Sequence, residues 1–422
     1  MGDVSIEQND PRIKIATRNI LFMMVAKIIS LLGAGIYTFA MGLYVLKTTG
    51  SGIGFATTLI CGSVPRMVCG PIAGAVADRV NRKWLIVGMD LLSSLTMFTM
   101  FILATTFEPS LFFIYISAAL LSVCASFYSV ALTSSIPHLV NEERIQKANA
   151  LNQTADSLSR ILAPIIGGMI FGFFSITSFF LLNGITFFLA VIVQLCIAFH
   201  LYKKEDTEND EPFLTSIKGG FTYVRQQQEI YGLMKIALWV NFFSSALFVS
   251  LPYIIVQSLH LSAKQLGIIE GMLAVGMLIG AAVLSVRKEI SNPFRSVYIG
   301  LFIFASLSLC TVVPLLITIP KVASFIYYII FVLLSGFSMM IVNIPMQVHI
   351  QKTINQAYLG RVFGLLETIA TAIAPLGMII YGFLLDRLPT SIVVITLGTG
   401  LFFVVFVGIK QHGTKNRVNM SA

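Results

Sequence analysis

Seven ionisable side chains sit inside long apolar stretches of this 422-residue chain: Lys27, Arg66, Asp90, Asp156, Arg160, Glu270 and Glu367. An Arg, Lys or Asp at the centre of a lipid-spanning helix costs roughly 2.5–3.5 kcal/mol on insertion scales. Groups that expensive are kept where they carry protons, bind a charged solute or hold a gate. No phosphate-cradling glycine loop, metal-ligand cluster or nucleophile motif accompanies them on a suitable element. No catalytic residue, metal or cofactor is therefore expected, and the chain does not read as an enzyme. The chemistry on offer is proton uptake and release, together with ion pairing.

Asp156 and Arg160 are four residues apart and share a helix face. Asp156 lies about eight residues, or roughly 12 Å, in from the end of its apolar stretch. Asp90 is at a comparable depth, Arg66 deeper, and Lys27 enters from the same side. These five are expected to form one charge network. For Asp90, Arg66 and Arg160 a structural network that closes an inner gate is preferred over direct proton carriage. Asp156 has a counterpart at Glu367, 211 residues further on, and Ala163 and Pro164 map likewise to Ala374 and Pro375. The pairs Ile136-Pro137 and Ile344-Pro345 repeat at a spacing of 208. Two carboxylates approaching across a repeat interface would take up protons; helix-end carboxylates paired with loop arginines are the alternative. Glu270, in Gly267-Ile-Ile-Glu270-Gly271, has no obvious basic partner. It reads as a protonation site, a contact for a cationic solute, or a water-exposed acid. Asp156, Glu270, Glu367 and Asp90 are thus the proton-coupling candidates.

Such side chains need membrane helices to carry them. Hydrophobic residues make up 56% of the chain and charged residues 11%, with mean hydropathy +0.87; soluble domains carry roughly 25% charged residues. Twelve stretches approach the roughly 20 apolar residues a span needs: 19–46, 52–77, 84–106, 110–138, 148–173, 176–201, 233–258, 264–286, 296–318, 323–351, 362–385 and 391–410. The expected fold is all-α: twelve transmembrane helices in two pseudo-symmetric six-helix bundles, 1–201 and 233–422. The intervening 202–232 is a polar linker. Phe213, Ile217, Phe221 and Val224 give it an amphipathic helix on the membrane surface, with a plain linker as the alternative. Internal duplication of this kind places a site at the interface between repeats.

Of the 28 Lys and Arg residues, Lys27, Arg66, Arg160 and Lys235 fall in or beside spans, and Lys47, Lys264, Lys321 and Arg387 in the odd-to-even connections. The other twenty lie on the side shared by both termini and the linker. That bias puts both termini in the cytoplasm of a multi-pass plasma-membrane protein. It also accounts for the net charge of +9 without nucleic acid. No cleavable signal peptide is expected. The five cysteines lie in apolar runs at spacings that suggest neither a metal site nor a disulfide.

The loop after the second span reads Gly74-Ala-Val-Ala-Asp78-Arg79-Val-Asn-Arg82-Lys83. It resembles the signature loop of the major facilitator superfamily, with Asn81 where a glycine is usual. The resemblance makes Asp78 an acceptor at a neighbouring helix N-terminus and gives Arg79, Arg82 and Lys83 a gating role. In the fifth span, Ser159-x-x-x-Ala163-Pro164-x-x-Gly167-Gly168 resembles that family's antiporter motif, with Ser and Ala replacing two glycines. All are small, so close helix packing survives. Pro65-Arg66, Asp90-Leu91-Leu92, Asn149-Ala-Leu-Asn152 and Gly360-Arg-Val-Phe363 resemble the macrolide-efflux and enterobactin-exporter-like drug:proton antiporters. The resemblance implies proton-driven export of drugs or other amphiphiles by a monomer that binds a small-molecule substrate. A siderophore or lipid-like metabolite exporter, and a nutrient importer or facilitator of the same fold, are the alternatives. Tyr37, Trp239, Asn241, Phe242, Asn343 and Gln347, near span centres, are the substrate-cavity candidates.

Overall fold

The computed structural model describes residues 11–107, 109–199, 228–286, 292–317, 319–354 and 372–420. Among them every regular element is a helix. In an apolar solvent each backbone group must be satisfied within its own segment, and a helix does that. The helices are α1 (Pro11–Thr49), α2 (Gly52–Arg79), α3 (Arg82–Thr106), α4 (Leu111–Leu139), α5 (Glu142–Phe173), α6 (Ile176–Leu195), α7 (Gln228–Tyr253), α8 (Ala263–Ser285), α9 (Pro293–Cys310), α10 (Lys321–Thr353), α11 (Ala374–Arg387) and α12 (Thr390–Met420). Eleven helical stretches are long and apolar enough to cross a membrane; the described part of α11 is 14 residues. The amphipathic segment after Phe213, and Glu367, lie outside the described residues.

Local chemistry sets the breaks. Gly50 turns the chain between α1 and α2 with φ of 65°, in the left-handed region that favours glycine. Asn81, standing in the signature loop where glycine is usual, caps α3: its side chain accepts from the Lys83 amide at 3.1 Å. Ser262 and Gln265 form a reciprocal capping box on α8, and Asn292 caps α9 ahead of Pro293. One expected span ends early, and another is broken but not shortened. The α6 helix ends at Leu195 rather than 201, because the Ala198 amide and carbonyl leave helical pairing for the Asn19 side chain at 3.1 and 2.9 Å. The α9 helix ends at Cys310, and a separate turn, Val313–Leu316, follows with Pro314 in its first turn.

The chain divides into two units: residues 1–45 with 57–208, and residues 46–56 with 209–422. The first has two apolar clusters. One holds Ala16, Ile20, Met23, Ile86, Tyr128, Leu132, Ile136 and Phe199. The other holds Tyr37, Met41, Met97, Ile114, Phe179, Phe180 and Phe187. Buried polar residues separate them along each helix: Lys27 and Ser30 on α1, Asp90, Ser93 and Ser94 on α3, Ser122 and Ser126 on α4, and Gln194 on α6.

In the second unit the Asp386 carboxylate caps α2, accepting from Ser51 Oγ at 2.7 Å, the Gly52 amide at 2.5 Å and the Ile53 amide at 3.2 Å. Here α8 and α10 pack backbone to backbone. A methyl added at Gly276 would overlap the Leu333 carbonyl, and one at Gly336 the Leu273 carbonyl. Overpacking of that kind costs about 1–3 kcal/mol. Gly276→Ala and Gly336→Ala should each lower the melting temperature in detergent by several degrees. Gly172→Ala, where nothing lies within 4 Å of the added atom, should leave it within a degree or two.

Candidate functional site

The first unit holds a half-open cavity of about 290 Å³ between α1, α2, α4 and α5. Leu31, Ala34, Gly35, Ala118, Leu121, Ala125 and Ala163 give it apolar walls. Its polar groups are few: Thr38, Arg66, Ser122, Asp156 and Ser159. Such a lining suits a ligand site, with apolar contact for affinity and a few polar groups for orientation.

The sequence builds this wall in recognisable ways. Pro65 lacks an amide and interrupts the hydrogen bonding of α2. Ser122 repairs the neighbourhood from α4: its Oγ donates to the Gly62 carbonyl at 2.6 Å and accepts from the Arg66 amide at 3.1 Å. Ser126 donates to the Arg66 carbonyl at 3.3 Å. The small residues of α5 let it approach α1. A methyl at Gly35 would overlap Ala163 Cβ, and one at Gly167 would lie 3.0 Å from Phe39. Pro164 lies within α5, and Gly168 is buried. Ser159 is 3% exposed, and its hydroxyl has no hydrogen-bond partner among the described residues. A buried donor left unmade costs about 1–3 kcal/mol, so this hydroxyl is a place for a ligand to bond.

Below the wall lies an ion pair. Lys27, 1% exposed, donates to Asp156 Oδ2 at 2.7 Å, to Asn152 Oδ1 at 2.7 Å and to the Asn152 carbonyl at 3.2 Å. Asp156 is 28% exposed and lines the cavity. Asp90 stands apart. It is 3% exposed, and its Oδ2 accepts from Ser30 Oγ and Gln194 Nε2. Among the described contacts Lys27 joins Asp156, while Asp90 sits in neutral hydrogen bonds. The Arg160 and Asp78 side chains lie outside what is described.

Other expected residues go elsewhere. Tyr37 does not line the cavity; its ring is packed in the core against Phe179 and Phe180, and its hydroxyl meets Ser117 at 2.5 Å. A large apolar ring gains more from that core than from a wet wall. Glu270 is half-buried on α8 in the second unit and has no hydrogen-bond or ionic partner among the described residues. Phe242 packs edge-on against Trp239, Phe243 and Tyr381. Trp239 is largely exposed, Asn241 donates to its own helix at Ala237, and Asn343 and Gln347 are exposed on α10. In the signature loop, Arg79 is exposed, Arg82 bonds His138 and the Ala77 carbonyl, and Lys83 Nζ donates to the Leu195 and Ile197 carbonyls at 3.0 and 3.2 Å. Lys83 thus caps the C-terminal end of α6, where a cation is favoured. Ser30, Ser122 and Gln194 escaped the sequence reading, and Asn152 entered it only within a resemblance. Their signal was a polar side chain inside an apolar run, weak singly and clear only once the helices are assembled.

Apolar helices in two units, one with a half-open, sparsely polar cavity, are the build of a multi-pass membrane transporter. The chain belongs to the major facilitator superfamily, whose profile matches residues 23–378. It is 23% identical over 384 residues to macrolide efflux protein A of Streptococcus pyogenes, covering 90% of this chain and 92% of that protein. It is 24% identical over 261 residues to the enterobactin exporter EntS of Salmonella typhimurium, covering 61% of each. In fold it resembles the nucleoside transporter NupG, with TM-score 0.70 at 12% identity over 93% of this chain and 98% of that one. It also resembles a D-xylose-proton symporter, with TM-score 0.65 at 11% identity over 93% and 97%.

The ion pair makes a direct prediction. Removing one partner of a buried pair costs about 3–5 kcal/mol, and the partial opening of Asp156 to the cavity places this pair at the lower end. Lys27→Ala should therefore unfold at markedly lower temperature. Asp156→Ala in the same chain should recover part of the loss, and a thermal double-mutant cycle measures the coupling.

Proposed function

We propose that this chain is a proton-driven exporter of amphiphilic small molecules, seated in the plasma membrane as a monomer with both termini in the cytoplasm. The observation that carries this reading is the cavity of the first unit. Its apolar walls suit the body of an amphiphile. Asp156, Arg66 and the unpartnered Ser159 hydroxyl offer a few points of polar attachment. The likeness to macrolide efflux proteins and to an enterobactin exporter supports export over import.

The mechanism is alternating access driven by an ion gradient. Substrate enters from the cytoplasm and rests its apolar part against Leu31, Ala34 and Leu121. A cationic group on it competes with Lys27 for Asp156; a hydroxyl or carbonyl bonds Ser159. Proton entry from outside neutralises a membrane carboxylate and resets the cycle. Drugs, siderophores and lipid-like metabolites all meet these requirements.

Inside-out vesicles carrying the protein should accumulate ethidium or erythromycin when their interior is acidified, and should lose that accumulation when the gradient is collapsed. Asp156→Asn should reduce the rate at least about tenfold, equivalent to about 1.4 kcal/mol. Transport indifferent to the gradient would overturn proton coupling. Net movement toward the cytoplasmic face would make the chain an importer.

A further inference from the structure

Asp90 is a buried acid with little compensation among the described residues of the first unit. Both its hydrogen-bond donors, the Ser30 hydroxyl and the Gln194 amide, are neutral, and both fall on Oδ2. Its Oδ1 accepts no hydrogen bond and no cation lies within ion-pair distance among the described residues. An ionised carboxylate has acceptor sites on both oxygens, whereas a protonated acid is a donor as well as an acceptor. A bare buried charge is costly, and a neutral acid is not.

The surroundings agree. From α1 the facing groups are Ser30 and, one turn away, Lys27, which is engaged with Asp156 on α5. From α4 come Cys124 and Tyr128. The Tyr128 hydroxyl is buried beside Ser30 and Gln194 without completing a hydrogen bond, and α6 contributes Gln194, whose Oε1 is also unpartnered. Lys27 and Ser30, one turn apart on α1, thus each serve a different acid, Asp156 and Asp90.

We infer that Asp90 is the proton-carrying carboxyl of this transporter, neutral in the state described, and that its deprotonation draws Lys27 off Asp156. The inference rests on the proton-driven reading above and deepens it. When the Asp90 O–H bond breaks, its proton passes to water and the electron pair stays on the carboxylate. The first unit then has two anions competing for one buried ammonium. The flexible lysine stem lets Nζ swing toward α3. Asp156 loses its partner and faces the cavity as a bare carboxylate, ready for a cationic substrate or a proton. Protonation of Asp90 returns Lys27 to Asp156 and expels the cation. Proton and substrate thus exchange through a single lysine.

Infrared spectroscopy of the purified full chain in lipid nanodiscs tests this. At neutral pH the carbonyl stretch of a protonated carboxylic acid should be present, should vanish in Asp90→Asn, and should shift in frequency in Ser30→Ala. An acid elsewhere, such as Glu270, would ignore Ser30. In Asp156→Asn, where Lys27 loses its carboxylate partner, raising the pH should abolish the band about one unit sooner than in the parent chain, a tenfold change in the proton's affinity. A band that survives Asp90→Asn, or fails to move in Ser30→Ala, would overturn the assignment. An unchanged titration in Asp156→Asn would overturn the lysine exchange. If Asp90→Asn does not fold, the other two variants still decide. Should ethidium transport ignore a pH gradient while the band behaves as expected, the driving-ion reading fails and the protonation of Asp90 stands.

Discussion

The buried ammonium of Lys27 is the constraint around which the first unit is arranged. It sits on α1 between two apolar clusters and takes Asp156 and Asn152 from α5 as partners. A charge with no water must be satisfied in place or not tolerated. Two turns further on, Gly35 and Ala163 are small where α1 and α5 come close. The cavity opens just beyond, where Asp156 emerges from the ion pair. Charge and ligand access are therefore set by one side chain rather than by two separate devices.

The same logic explains the polar layer that crosses the unit. On α1, α3 and α4 a set of polar residues falls between the residues that supply the two apolar clusters, and Gln194 at the end of α6 lies between Phe187 and Ile197. Serines of α4 reach the backbone of α2 around Pro65, and Asn183 and Ser94 bond the Gly33 and Gly184 carbonyls. Hydrogen bonds of this kind add only modest stability in a membrane, about 0.6 kcal/mol each on average. Their value is in register, since a helix slipped by one turn would leave each of these groups facing hydrocarbon.

Much of this was legible in the sequence. The spans, the signature loop and the helix-five motif are local patterns, and locally determined features read well from one chain. The isolated acids and bases were legible too, because lipid makes each of them costly. Pairing was not. Nothing in the spacing of Lys27, Asp90 and Asp156 says which acid the lysine serves, since that depends on rotations of α1, α3 and α5 that packing alone fixes. Tyr37 shows the opposite failure: a polar tip near a span centre suggested a cavity wall, but Ser117 on α4 satisfies that hydroxyl inside the core. Asn81 was read as a departure from a motif and is in fact a helix cap, since a side-chain acceptor fits the start of α3 where glycine offers none.

The Lys27–Asn152 contact spans 125 residues of sequence, which bears on how the protein is made. Translation at roughly 5–20 residues per second leaves about 6–25 s between the emergence of α1 and that of its partner on α5. During that interval α1 carries an uncompensated ammonium, and α3 carries Asp90 before Gln194 exists. Neither helix can settle finally into lipid alone. The first unit must instead be held at the insertion machinery, or at the bilayer edge with Lys27 snorkelling to water, until α5 and α6 arrive and the polar layer closes in one cooperative step.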